Sequence, residues 1–216
     1  IVHIESYFSF RTVRRNITPV DQLIDILPHP VYLLLQVLQG TIGVPQDNIE
    51  LSTINVKSSG EVRALISEGD AMGILIVTLR GRPIESYLKV IGTNGSLTAD
   101  FVRGIVVKLP GPGASAIPIV LSPYKQACQL AWRSTKAFAG LTFKKHKSYP
   151  GLAELIGAFY ESIREGTPEP ISQSSIMQTV GICETLTRKL REAERVAEDL
   201  AERSLRVKEE KLPLLD

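Results

Sequence analysis

The sequence predicts an α+β fold: an open, mostly antiparallel sheet with helices packed on one face, plus a long C-terminal helix. Two observations carry this. From Ile49 to Leu109 the chain is a series of short segments rich in Val, Ile, Thr and Tyr, separated by Gly, Asn or Asp. On either side of that run, apolar residues recur at helical spacing instead.

The elements follow in order. "IVHIESYFSF", Ile1 to Phe10, alternates or runs apolar and reads as a strand. The polar, basic stretch "RTVRRNITPV" reads as a loop, and "DQLIDIL" as a short helix that stops at Pro28. Val31, Leu34, Leu35 and Leu38 stand at i, i+3, i+4 and i+7, which predicts a helix ended by Gly40. Six strands follow: "IELSTINVKS", "EVRALIS", "GILIVTLR", "ESYLKVIGT", "GSLTAD" and "GIVVKL". Their connectors are too short for helical crossovers, so consecutive strands are expected to pair antiparallel. With the first strand they make an open sheet, one face of which needs a helical cover.

"LPGPGASAIPIVLSP" holds four prolines and two glycines and reads as a long loop. Helices are expected from roughly Tyr124 to Phe138, from Gly151 to Arg164, and from near Ser172 to about Lys211. Trp132, Tyr124 and Phe138 share the first of these and are assigned to the core. In the last, Cys183, Leu186, Leu190, Ala193, Ala197, Leu200, Ser204 and Val207 form a heptad seam weakened by two Ala and one Ser. That pattern fits a helix resting on its own domain, or one pairing with another chain or leading into a further domain.

The composition is 44% apolar and 22% charged, as in ordinary globular proteins, and the net charge of +2 gives no reason to expect nucleic acid or a membrane as partner. Two cysteines, Cys128 and Cys183, cannot make a disulfide framework, so a reduced, cytoplasmic setting is expected. No apolar run is long enough to span a bilayer. The chain begins in strand-like alternation at Ile1 without an initiator Met, and is expected to be a piece of a longer polypeptide.

Most chemical signatures are missing. "GTNGS" at Gly92 lacks the dinucleotide spacing and joins two strands rather than a strand and a helix. The prolines of "PGPGAS" suit a loop better than a phosphate cradle. The three histidines, His3, His29 and His146, stand far apart, and no cluster has metal-ligand spacing. No residue is assigned to a cofactor or a metal. The basic runs Lys144, Lys145, His146, Lys147 and Arg11, Arg14, Arg15 read as solvated loops, or as contacts for an anionic substrate or cofactor phosphate. Tyr87 and Lys89 share one strand face, which lines a pocket or meets solvent or an interface.

"DILPHPVYLLLQVLQG", Asp25 to Gly40, is the exception. His29 lies between two prolines, four residues after Asp25. A residue before proline is biased away from the helical region, so Leu27 and His29 are expected to be extended. Pro30 then takes the first helical position and His29 the N-cap, and Asp25 and His29 do not share a continuous helix face. The helix dipole opposes an imidazolium there, whereas a nearby carboxylate favours it. The residues fit a proton donor or acceptor with an orienting carboxylate, or a turn histidine that caps a helix.

Five segments together resemble the C-terminal domain of the glucose–fructose oxidoreductase/inositol dehydrogenase (Gfo/Idh/MocA) family. They are "DILPH", "VLQGTIGVPQDNIEL", "YLKVIGTNGSLTADF", "YPGLAELIGAFYESIREGTPEPIS" and "SIMQTVGICETL", in the family's order. "DILPH" is similar to the family's Asp-x-Gly-x-His segment, with Leu27 in place of Gly; Tyr32 stands where an Asp often follows. The resemblance implies residues 1–186 as a substrate-binding and oligomerisation domain and 187–216 as a helical extension. It also implies a separate Rossmann domain that holds NAD or NADP and supplies a catalytic lysine. His29 would then be the acid/base and Asp25 its orienting group or a substrate contact. The implied activity is oxidation or reduction of a small-molecule sugar, polyol or nucleotide-sugar hydroxyl or carbonyl, with a homodimer formed through the open sheet face. The chain alone, binding no cofactor, is expected to be inactive. The other reading is a non-catalytic sheet module for dimerisation or partner docking.

Overall fold

The computed structural model describes residues 1–11, 16–42, 49–111, 116–143 and 150–210. Among these lie seven strands: β1 (His3–Ser9), β2 (Glu50–Lys57), β3 (Glu61–Glu68), β4 (Ala71–Thr78), β5 (Ser86–Gly92), β6 (Gly95–Asp100) and β7 (Ile105–Pro110). The helices are α1 (Pro19–Ile26), α2 (Pro28–Ile42), α3 (Ala116–Phe143), α4 (Pro150–Glu165) and α5 (Gln173–Glu210). The strands form one open, mostly antiparallel sheet in the order β2-β3-β4-β1-β5-β6-β7. The expected α+β class and long terminal helix are both present.

One pairing expectation is wrong. β4 and β5 are consecutive in sequence yet do not pair. β1 lies between them, parallel to β4 and antiparallel to β5. A parallel neighbour needs a crossover, and α1, α2, β2 and β3 together supply it. The short connector from Leu79 to Glu85 has only to arch past the end of β1. Ser9 holds it there: its N–H bonds to Glu85 O at 2.7 Å, and its Oγ accepts from the Glu85 N–H at 2.7 Å.

Strand alternation sorts the side chains. Ile4, Ser6 and Phe8 of β1, Leu75 and Val77 of β4, and Val62, Ala64 and Ile66 of β3 are buried on one face. Leu23, Leu27, Val31, Leu34, Leu35 and Leu38 of α1 and α2 cover them, joined by Ile182, Leu186 and Leu190 of α5. Two details fix α2 over the sheet centre. A Cβ at Gly73 would lie 2.9 Å from Leu34 Cδ1, so the helix rests on a glycine. The buried Ser6 hydroxyl donates to Pro30 O at 3.3 Å. The opposite face carries His3, Glu5, Tyr7, Ile74, Ile76, Tyr87, Lys89 and Ile91, all half-buried.

Both sheet edges are modified. β2 has a bulge at Thr53, whose φ of 43° breaks the register between Ser52 and Ile54. At the other edge, the Gln129 side-chain amide donates to Lys108 O (2.9 Å) and accepts from the Lys108 N–H (3.2 Å). An amide from α3 thus pairs with the free edge of β7.

Three helical expectations need correction. "ASAIPIVLSP" is not all loop: α3 begins at Ala116 and runs through Pro118 and Pro123. Pro118 falls in the first turn, where its missing N–H has no partner to lose. Helix α1 begins at Pro19, inside the stretch read as a loop. Finally, Trp132, Tyr124 and Phe138 are not core: they are 73%, 70% and 71% exposed. α3 lies along β7, while α1, α2 and α5 cover the sheet where a core-facing aromatic would go. Leu34→Ala, at the contact with Gly73, should cost about 2–5 kcal/mol of stability, measured as a lower urea midpoint.

Candidate functional site

Thr18 starts the segment that carries Asp25 and His29. Its hydroxyl accepts from the Asp21 N–H at 3.1 Å and donates to the Asp21 carboxylate at 3.0 Å, and Pro19 takes the first helical position. The Thr-Pro-x-Asp signal of a helix start was present in the sequence. Arg191 of α5 reaches across to the same carboxylate at 2.5 Å. That guanidinium bond, then the Thr18 hydroxyl, hold the Asp21 carboxyl below the usual carboxylate range.

Leu27 was expected to be extended, but it is helical, with φ −48° and ψ −38°. Its N–H bonds to Leu23 O at 2.9 Å, and the Val31 N–H bonds to Leu27 O at 3.2 Å. The pre-proline restriction is a steric bias. Here it is outweighed by burial of Leu23, Leu27 and Val31 on one stripe and by helix bonds on both sides. Pro28 and Pro30 both fall in the first turn of α2, where a missing N–H is tolerated. His29 is therefore inside the helix, not an extended N-cap.

That change alters the geometry. With helical backbone between them, Asp25 and His29 occupy the same outer side of the α1–α2 pair, at the spacing of helix-face neighbours. Asp25, Pro28 and His29 are exposed and Tyr32 is half-buried, while Pro30 and Val31 face inward. Among the described residues, the Asp25 and His29 side chains form no hydrogen bond or ion pair. The structure places the two on one open stripe but does not link them.

The other candidates separate. Tyr87 and Lys89 lie on the sheet face opposite the helices, and Tyr87 donates to the Glu5 carboxylate at 2.7 Å. Tyr7 stacks on Tyr87, with ring centroids 5.3 Å apart. Burial first, and then the bond to Glu5, push the Tyr87 hydroxyl well above its ordinary range, so it stays protonated. Glu5 escaped the sequence reading, although its alternation with His3 and Tyr7 was the available signal. Arg11 is exposed, and its carbonyl accepts from Gln22 Nε2. Arg14, Arg15 and the run Lys144, Lys145, His146, Lys147 lie outside the described residues. Burial pushes the Cys183 thiol up to about 11, which leaves it unreactive near neutrality. Among the described residues no group of three or more His, Cys, Asp or Glu could hold a metal. No helix among them is long and apolar enough to cross a membrane. Gly92 to Gly95 joins β5 to β6, so that turn opens no helix and does not fit a dinucleotide pyrophosphate.

No protein-family model matches the sequence, and no curated protein sequence matches it. Solved structures do match in fold. One is a dehydrogenase (MviM) from Clostridium difficile, with TM-score 0.54 and 9% identity, over 88% of this chain and 55% of that one. Another is a dehydrogenase from Chromobacterium violaceum, with TM-score 0.56 and 12% identity, over 95% of this chain and 56% of that one. The chain thus spans little more than half the length of each. The shared fold agrees with the Gfo/Idh/MocA resemblance of the sequence.

The Asp21–Arg191 contact has a pH signature. A carboxyl held below its unfolded value stabilises the fold above that value and loses the contribution as pH falls through the folded one. Asp21→Asn should therefore lower stability at neutral pH, with the difference from the parent shrinking below about pH 4. Urea titrations from pH 7 to pH 2.5 measure it.

Proposed function

We propose that this chain is the substrate-binding and dimerisation domain of an NAD(P)-dependent oxidoreductase acting on a sugar, polyol or nucleotide-sugar hydroxyl or carbonyl. The observation that carries the reading is the likeness in fold, over nearly the whole chain, to two dehydrogenases. On this reading the protein is cytoplasmic, and a separate Rossmann domain of the parent protein holds NAD or NADP.

This chain's own contribution is proton chemistry. Oxidation of a hydroxyl releases a proton and reduction of a carbonyl takes one up. His29, exposed in the first turn of α2, takes or returns that proton at the substrate oxygen. Asp25, one turn earlier on the same side, orients the ring or holds a substrate hydroxyl. Pro28 and Pro30 stiffen the backbone on both sides of the histidine. Because His29 is exposed and its side chain forms no hydrogen bond or ion pair among the described residues, His29→Ala should change stability by less than about 0.5 kcal/mol. In the full-length protein the same change should lower kcat by about 10²–10⁴-fold. An unchanged kcat would favour the second reading, a non-catalytic sheet module, which the absence of a bond between Asp25 and His29 supports.

Dimerisation is assigned to the sheet face opposite the helices. Leu65, Ile74, Ile76, Ile91 and Val107 stand there half-buried, around a central Glu5, Lys89 and Tyr87. A broad, mainly apolar face of this kind is a surface for burial against a copy of itself. Ile76→Glu should abolish association through this face, read as the loss of that step in sedimentation velocity with the circular dichroism spectrum unchanged.

A further inference from the structure

One row of side chains crosses the sheet face opposite the helices. Neighbouring strands pair Leu65 with Ile74, Ile74 with Glu5, Glu5 with Lys89, Lys89 with Thr98, and Thr98 with Val107. The six run in that order from β3 to β7, with two opposite charges at the midpoint. β2 would extend the row by Ser52, beside the bulge at Thr53, and has no counterpart beyond β7.

Glu5 and Lys89 stand directly opposite each other, both half-buried, yet they form no ion pair. One oxygen of the Glu5 carboxylate accepts from the Tyr87 hydroxyl. Its other oxygen and the Lys89 amine have no hydrogen-bond partner among the described residues. The other carboxylates and guanidinium of this face, on β3 to β7, are paired within the chain: Arg63 bonds Glu61 at 2.7 Å, and Asp100 bonds Arg103. Covering the face therefore desolvates one unpaired amine and half of one carboxylate at its centre, which is costly unless the cover pairs them. A second copy brings one of each, and the symmetry decides which meets which. A two-fold axis across the strands at this row sets each strand against itself, so Glu5 meets Glu5 and Lys89 meets Lys89. An axis along the strands, between β1 and β5, reverses the row instead. Leu65 then meets Val107 of the copy, Ile74 meets Thr98, and Glu5 meets Lys89. In the rows on either side, Tyr7 meets Tyr87 and His3 meets Ile91. Aligned sheets keep their strands within about 30° of each other, so these rows stay in register near the axis.

We propose that the sheet-face dimer, on which this inference rests, has its two-fold axis along the strands between β1 and β5, with Glu5 of each copy paired to Lys89 of the other. The pair selects this register over those that oppose like charges. Charge reversal on the whole chain tests it. Glu5→Lys alone and Lys89→Glu alone should each lose association through this face in sedimentation velocity, since each homodimer then holds two like-charged contacts. Mixed in equal amounts, the two chains should form a heterodimer, one supplying both acids and the other both bases. In a Cys128→Ser background, a Leu65→Cys chain mixed with a Val107→Cys chain should be joined by a bis-maleimide of about 10 Å reach, the spacing of stacked sheets. Neither cysteine chain should link to itself. Association of either charge variant at the parent's strength overturns the proposal, as does a mixture that forms no heterodimer while both chains keep the parent's circular dichroism. The cross-link decides where a charge variant does not fold: self-linking of each cysteine chain marks an axis across the strands, and no link marks another register, and either result overturns the pairing. Ile76→Glu separates this inference from the reading beneath it. If that change leaves association intact, the sheet face is not the interface and both fall. If it abolishes association while the charge variants do not, only the Glu5–Lys89 pairing falls.

Discussion

Strand β1 is hydrogen-bonded on both sides, to β4 in parallel and to β5 antiparallel. Most of the architecture follows from that central place. A parallel partner cannot be reached by a hairpin, so the chain after β1 must cross over, and the crossover contains α1 and α2. Those helices then lie over the strands they connect, with Leu23, Leu27, Val31, Leu34 and Leu38 turned to the sheet. Asp25 and His29 are left on the side away from it. The open stripe that carries the candidate chemistry is the outer surface of a crossover connection.

The same placement divides the sheet unequally. The β2–β1 half receives α1, α2 and the buried part of α5, and nearly all of the core lies there. The β5–β7 half receives α3, which runs beside β7 and bonds its edge through Gln129. Exposed apolar side chains follow this division. Trp132 and Phe138 of α3, and Ile156, Phe159 and Tyr160 of α4, are exposed and stand outside the core cluster. Such exposure on two successive helices is more than scattered surface hydrophobicity. α5 is bound differently along its length. Arg191 bonds Asp21, and Gln36 donates to Ser175, tying the first part to α1 and α2.

Local patterns were legible where local physics decides. The six strands from β2 to β7 were read from β-branched runs and turn residues, and α2 from its leucine periodicity, because each signal lies within one element. The position of β1 was not legible. A strand inserted between two sequence neighbours leaves no trace in the length of the connector that passes it. The state of Leu27 was misread for a related reason: the pre-proline bias is visible in sequence, while the burial that overrides it is a property of the assembled helix pair. Asp25 and His29 were legible as residue types at a telling spacing. Their shared outer face depended on Leu27 being helical, and so could not be read. Trp132 was placed in the core because its composition suits one, but the core was already filled by other helices.

Gly73 gives one of these arrangements a further meaning. Leu34 of α2 rests where a side chain at position 73 would be, with a Cβ there only 2.9 Å from its methyl. Leu34 is fully buried and has little room to swing aside. The altitude of α2 above the sheet is thus set by a missing methyl group. Since His29 rides on the same helix five residues earlier, its height above the sheet is calibrated from beneath, by a glycine on the far side of the helix that takes no part in the open stripe.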